Sequence, residues 1–144
     1  MKLVDANVLL YATNEDDPRH EQARSWLDDA LSGATRVGFA WVVLLAFVRL
    51  STKAHIFPRP LTTDSAMDHV DDWTGQPPAV IVDPGPGHRG TLRRLMATAG
   101  TGGNLTTDAH LAALAVDHRA EIVTYDDDFD RFPGVRWTRP TSPR

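Results

Sequence analysis

Cysteine is absent from the 144 residues, which excludes a disulfide frame, a thiolate zinc site and a nucleophilic thiol, and makes a reducing cytoplasm the expected location. Long apolar runs are also missing. No stretch approaches the ~18 uninterrupted apolar residues of a membrane span, and the opening MKLVDANVLLYA carries Asp5 where a signal peptide would need an unbroken apolar core. A soluble protein without membrane contact is expected. Acid is missing from Ala30 to Thr63, where Arg36, Arg49, Lys53 and Arg59 stand alone, whereas Leu105 to Asp130 holds seven acids and one arginine. The charge is therefore polarised, and a net −4 argues against a protein that coats nucleic acid through overall positive charge. Repeats, low-complexity tracts and interdomain linkers are lacking too. With 42% apolar residues, the chain reads as one domain over residues 1–140, with a disordered tail over 141–144.

What is present is an alternation of short apolar runs with helically spaced segments, the pattern of βαβ units around a parallel sheet. Lys2 to Val4 reads as a first strand and Asn7 to Thr13 as a short helix. Pro18 suits the first turn of a second helix, in which Ala23, Trp26, Leu27 and Ala30 share a face before Gly33 ends it. Arg36 to Phe39 is a weak strand, and Trp41 to Ser51, apolar nearly all round, reads as a central buried helix. Beyond the Pro58 and Pro60 break, Thr63 is the expected cap of a helix through Trp73, followed by a β-branched run at Ala79 to Val82. A basic helix with Leu92, Leu95 and Met96 on one face then leads to a flexible loop over Gly100 to Gly103. Thr106 or Thr107 should cap the next helix, before strands at Glu121 to Thr124 and Val135 to Trp137.

In an open parallel sheet, functional groups gather at the carboxyl ends of the strands. Three aspartates fall there: Asp5 after the first strand, Asp126 after the strand near Thr124, and Asp108 in the first turn of the helix feeding that strand. Alone, each is explained by a helix cap or a solvated turn. Together on one edge they would repel one another, and a protein that gathers carboxylates must protonate one or bind a cation. Without cysteine, and with histidines scattered rather than paired, the hard-oxygen ions Mg²⁺ or Mn²⁺ fit better than Zn²⁺. Such an ion can activate water and neutralise charge on a phosphodiester.

LVDANVLLYA near the start and TTDAHLAALAVDHRAEIVTYDDDFDRF near the end, at this separation, resemble the PIN domain, and within it the VapC-type toxins of bacterial toxin–antitoxin pairs. The resemblance implies a three-layer α/β/α sandwich with a central, mostly parallel sheet of four to five strands. It also implies a metal-dependent endoribonuclease, with Asp5, Asp108 and Asp126 as metal-site and catalytic acids, Asp128 as a further acid, and Asn7 and Thr124 as polar supports. The partners implied are an RNA substrate, a VapB-like antitoxin whose tail blocks the acidic cleft, and a second copy in a homodimer or larger assembly. One position departs from the pattern: where the family usually carries Glu on the central helix, LLAFVRL has Ala46. A catalytically weakened RNA- or protein-binding module is therefore the alternative reading.

The remaining polar residues carry less. Arg49 would pair with a site carboxylate or touch phosphate, and Lys53, Arg59, Arg93 and Arg94 would form a phosphate-steering rim. His20 and His110 lie in helices as packing or surface groups, and Trp26, Trp41 and Trp73 belong to core or interface. The PGPGHRG turn lacks the order of a phosphate-binding loop with its lysine. An aspartyl phosphohydrolase, which needs a second Asp two residues after Asp5, meets Asn7 there instead.

Overall fold

A computed structural model describes residues 1–100 and 105–141. The strands are β1 (Lys2–Val4), β2 (Val37–Phe39), β3 (Ala79–Ile81), β4 (Glu121–Val123) and β5 (Trp137–Thr138). They form one parallel sheet in the order β3-β2-β1-β4-β5. The helices are α1 (Ala6–Thr13), α2 (His20–Leu31), α3 (Trp41–Ser51), α4 (Thr63–Thr74), α5 (His88–Ala99) and α6 (Leu105–Asp117), with a short 3₁₀ turn over Asp127–Arg131. α1 packs on α2 and α3, and α3 on α4, as one layer; α5 and α6 pack together as the other. This is the expected α/β/α sandwich, with all five strands parallel.

The central strands are buried on both faces, as parallel strands covered by helices must be. Leu3, Val4, Phe39, Ile122 and Val123 are fully enclosed and join Phe47, Leu44, Leu114 and Phe129 in one core. Gly38 at the centre of β2 is needed for close approach: a Cβ there would lie 2.7 Å from a Val82 methyl. Chain order reverses beside β1, since the chain runs outward through β2 to β3 and then returns to β4 on the other flank. Such a switch point is where the helix starts leave a crevice at the strands' carboxyl ends. Among the described residues, no helix is long and apolar enough to cross a membrane.

Several boundaries differ from the sequence expectation, each for a local reason. Pro18 stands in a turn before α2 rather than in its first turn, because the Asp17 carboxylate accepts the Arg19 N–H at 2.8 Å and fixes a bend there. Thr62, not Thr63, caps α4: its extended backbone lets the hydroxyl accept the Ser65 N–H at 3.1 Å. Thr106 and Thr107 lie inside α6, which begins at Leu105. The last strand starts later than expected, because the Val135 N–H is used by the Phe132 carbonyl in a turn that Gly134, at φ +81°, completes. The largest difference concerns α3. Its one side is core, but Trp41 is 48% and Leu45 59% exposed, so the helix is half-buried rather than central. The 101–103 part of the expected glycine loop and the 142–144 part of the expected tail lie outside the described residues.

Candidate active site

β1 ends at Val4, and the next residue turns its carboxylate back to start α1. Asp5 Oδ1 accepts the Ala6 N–H at 2.7 Å, a helix cap. Its backbone N–H donates to the Val123 carbonyl at 3.0 Å, which ties the end of β1 to the end of β4. Its second oxygen accepts the fully buried Thr124 hydroxyl at 2.8 Å. Asn7 bridges the same two chain ends: its Nδ2 donates to Thr124 Oγ1 at 3.1 Å, and its Oδ1 accepts the Tyr125 N–H at 3.0 Å. The expected supporting positions of Asn7 and Thr124 are thus filled by direct bonds around Asp5. Burial pushes the Asp5 carboxyl above its ordinary value near 3.8, and the charge of Asp126 adds to this, against lowering by the bonds from Thr124 and Ala6.

Around this anchor stand the other acids. Asp126 follows β4, caps the 3₁₀ turn by accepting the Asp128 N–H at 2.9 Å, and so sets Asp128 beside itself. Asp108, in the first turn of α6, reaches the same edge because a helix that feeds a parallel strand starts at the strands' carboxyl ends. One carboxylate oxygen from each of Asp108, Asp126 and Asp128 lies within 4.8 Å of the others, and all three side chains are half-buried. Asp5 is not a member of that tight set, although it shares its electrostatics. The Asp108 carboxyl is pushed up to about 6, first by burial and then by the charges of Asp5, Asp126 and Asp128, with Arg131 pulling the other way. An all-oxygen donor set of mutually repelling carboxylates fits a hard divalent cation.

The PIN domain family profile matches residues 2–135. The chain belongs to the PIN domain family. Within that family its relatives are VapC proteins: it is 60% identical over 140 residues to Ribonuclease VapC37 of Mycobacterium tuberculosis, covering 97% of both chains. It is 38% identical to Ribonuclease VapC33 of the same species, covering 97% of this chain and 98% of the relative. Among solved structures, this PIN domain superposes on VapBC2 from Rickettsia felis bound to a promoter DNA fragment, with a TM-score of 0.70, 17% identity and coverage of 96% and 97%. It also superposes on M. tuberculosis VapC20, described as a sarcin-ricin loop cleaving toxin, with a TM-score of 0.68, 16% identity and coverage of 94% and 99%. At such identities the structural likeness speaks for the PIN fold.

Not every residue singled out from the sequence joins the site of this PIN domain. Arg49 is exposed on α3, and its side chain has no ion pair or hydrogen bond among the described residues, so the expected pairing with a site carboxylate is not made. Arg59 is held by Glu15 at 3.6 Å and Asp16 at 3.2 Å, which takes its charge out of a free phosphate rim. Lys53, Arg93 and Arg94 are exposed and have no ion-pair partner among the described residues. Ala46 is half-buried on α3, whose one charged residue is Arg49, so that helix supplies no acid. Two features escaped the sequence. Arg131 moderates Asp108 across the 3₁₀ turn, and Tyr125 is wedged by an edge contact with Tyr11 at 5.2 Å and a bond to Gln22 at 2.9 Å. The FDRF segment carried the first signal, an arginine at the end of an acidic turn; the second depends on tertiary packing alone.

Proposed function

We propose that this chain is the toxin of a toxin–antitoxin pair, an endoribonuclease that hydrolyses RNA phosphodiester bonds with Mg²⁺ or Mn²⁺. The observation that carries the reading is the approach of Asp108, Asp126 and Asp128 to within 4.8 Å at the strands' carboxyl edge. These three residues would hold the ion, with the charge of Asp5, which already acts on Asp108 and Asp126, adding to the site. When bound, such an ion neutralises charge building on the phosphate and lowers the pKa of water. The chain's own groups do the rest. Asp126 is oriented by its backbone cap and Asp5 by three donors, and neither can swing away without leaving a donor of the half-buried site unpaired. The Asp108 carboxyl, held near 6 without metal, gives up its proton to become a ligand.

Similarity to VapC ribonucleases supports RNA as the substrate, and the VapBC complexes among its structural relatives support a VapB-like antitoxin as partner. An antitoxin arginine entering the cleft would form charge-assisted bonds with carboxylates that otherwise repel one another. Trp41 and Leu45, exposed one turn apart on α3, support a homodimer that covers them. The same relationship supports a cytoplasmic location. The test is cleavage: antitoxin-free protein should cut a structured RNA with Mg²⁺ or Mn²⁺ and stop when the metal is chelated. No cleavage in vitro, together with unchanged toxicity of Asp5→Asn in cells, would contradict the proposal.

A further inference from the structure

α5 carries three arginines, Arg89, Arg93 and Arg94, and no acid over HRGTLRRLMATA. None of the three has an ion-pair partner among the described residues, and all are exposed. Between α5 and the start of α6 lies an open groove of about 610 Å³ whose floor is Leu92, Met96 and Leu105 and whose side is Arg89 and Arg93. Its place relative to the acids follows from helix direction. Thr91, in the first turn of α5, donates to Asp117 at the end of α6 at 2.8 Å, so the two helices run antiparallel. The far end of the groove, at Leu105 and Thr106, therefore belongs to the α6 turn that carries Asp108.

A polyanion approaching this protein meets net negative charge and a knot of carboxylates. Its approach needs unpaired cations along a path that ends at that knot, because phosphate affinity comes from Lys and Arg. Other basic residues serve less well: Arg59 is neutralised by Glu15 and Asp16, and Arg36, just before β2, is not among the residues lining the groove. Arg89 and Arg93 are about one helical turn apart, about 6 Å along the axis, a step suited to successive phosphates of one strand. An apolar floor beside them offers a face to a base turned out of its stack, as single-stranded RNA recognition generally requires.

We propose that this groove is a substrate subsite that seats the RNA strand leading into the acidic cluster, Arg89 and Arg93 holding backbone phosphates and Leu92, Met96 and Leu105 receiving an unstacked base. The proposal rests on the ribonuclease reading above and deepens it. It makes α5 a positioning element, since none of its residues is asked to touch the reacting atoms.

The test is steady-state cleavage of a short single-stranded or loop RNA with Mn²⁺ across a series of salt concentrations. Arg89→Ala/Arg93→Ala should raise KM by about 10-fold or more with a much smaller change in kcat, and the slope of log(kcat/KM) against log salt should shrink by about 1.4, roughly 0.7 for each single-strand phosphate that is no longer neutralised. Arg89→Lys/Arg93→Lys should restore most of that slope. Leu92→Ser/Met96→Ser should raise KM and leave the slope alone, because it removes apolar surface and no charge. Arg36→Ala should match the wild type. Equal KM and slope in the wild type and the double alanine variant would overturn the subsite, as would an equal effect of Arg36→Ala. So would a double variant that cleaves normally but no longer binds an acidic protein partner. A wild-type protein that cleaves no RNA would instead sink the ribonuclease reading, and the subsite with it.

Discussion

The hydroxyl of Thr124 serves three partners at once: it donates to Asp5 and accepts from Asn7 Nδ2 and from the Asp126 N–H, at 2.8, 3.1 and 3.0 Å. That uses its one proton and both lone pairs in a fully buried position. Thr124→Val keeps the shape but leaves two buried donors unmatched, so stability should fall by about 1–3 kcal/mol, whereas Thr124→Ser should lose much less; thermal melting of the three proteins checks this. Asp108 has the opposite effect on the metal-free fold. With its carboxyl near 6 against 3.8 unfolded, the folded state holds the proton more tightly, so stability is gained as pH falls through about 6 and lost as pH rises through that window. Asp108→Asn should therefore stabilise the metal-free protein at pH 7, by about 1–2 kcal/mol once half-exposure and screening are allowed for. The same substitution should cut metal affinity and cleavage by at least about 100-fold, since even partners outside the ligand set commonly cost 10- to 100-fold. Melting curves between pH 4.5 and 7.5 without metal, beside cleavage assays with it, separate the two effects.

At the scale of elements, α5 and α6 meet through a pair of imidazoles. His88 is buried, its Nε2 is 2.9 Å from His110 Nδ1, and its Nδ1, 4.0 Å from the Asp117 carboxylate, has no hydrogen-bond partner among the described residues. Burial, and then the neighbouring His88, lower the His110 pKa below its ordinary 6.5. The unfolded chain then binds the proton more readily, so this contribution to stability is complete above pH 6.5 and is lost as pH falls below it. In His110→Gln that acid-side loss should disappear, which comparison of its pH–stability curve with that of the wild type will reveal. Nothing in the sequence marked this pair, since His88 sits in a loop-like PGPGHRG stretch and the contact spans two helices. By contrast β1, α1 and the terminal acids were legible, because each rests on short-range signals: an apolar run, a capping Asp, an acidic turn. α3 misled because its composition is apolar on every side, and composition cannot distinguish a residue covered by the core from one left for a partner.

At the scale of the whole molecule, five parallel strands and their crossovers bring together residues more than a hundred positions apart in sequence, Asp5 with Thr124 above all. The switch point beside β1 explains why the acids converge. Which three come closest depends on the short 3₁₀ turn that swings Asp128 inward, a matter of one cap that pattern alone does not decide. Cation binding should hold these repelling groups together, so a saturating divalent ion should raise the melting temperature in proportion to its binding. Binding must also displace the proton on Asp108, because a carboxylate ligates only when ionised. The most direct measurement is calorimetric titration of the antitoxin-free protein with Mn²⁺ near pH 6, in buffers of differing ionisation heat. The expected result is saturable binding with release of a fraction of a proton, the binding abolished in Asp126→Asn/Asp128→Asn and the proton release absent in Asp108→Asn. Undiminished Mn²⁺ binding in the Asp126→Asn/Asp128→Asn protein would contradict a metal centre built from these carboxylates.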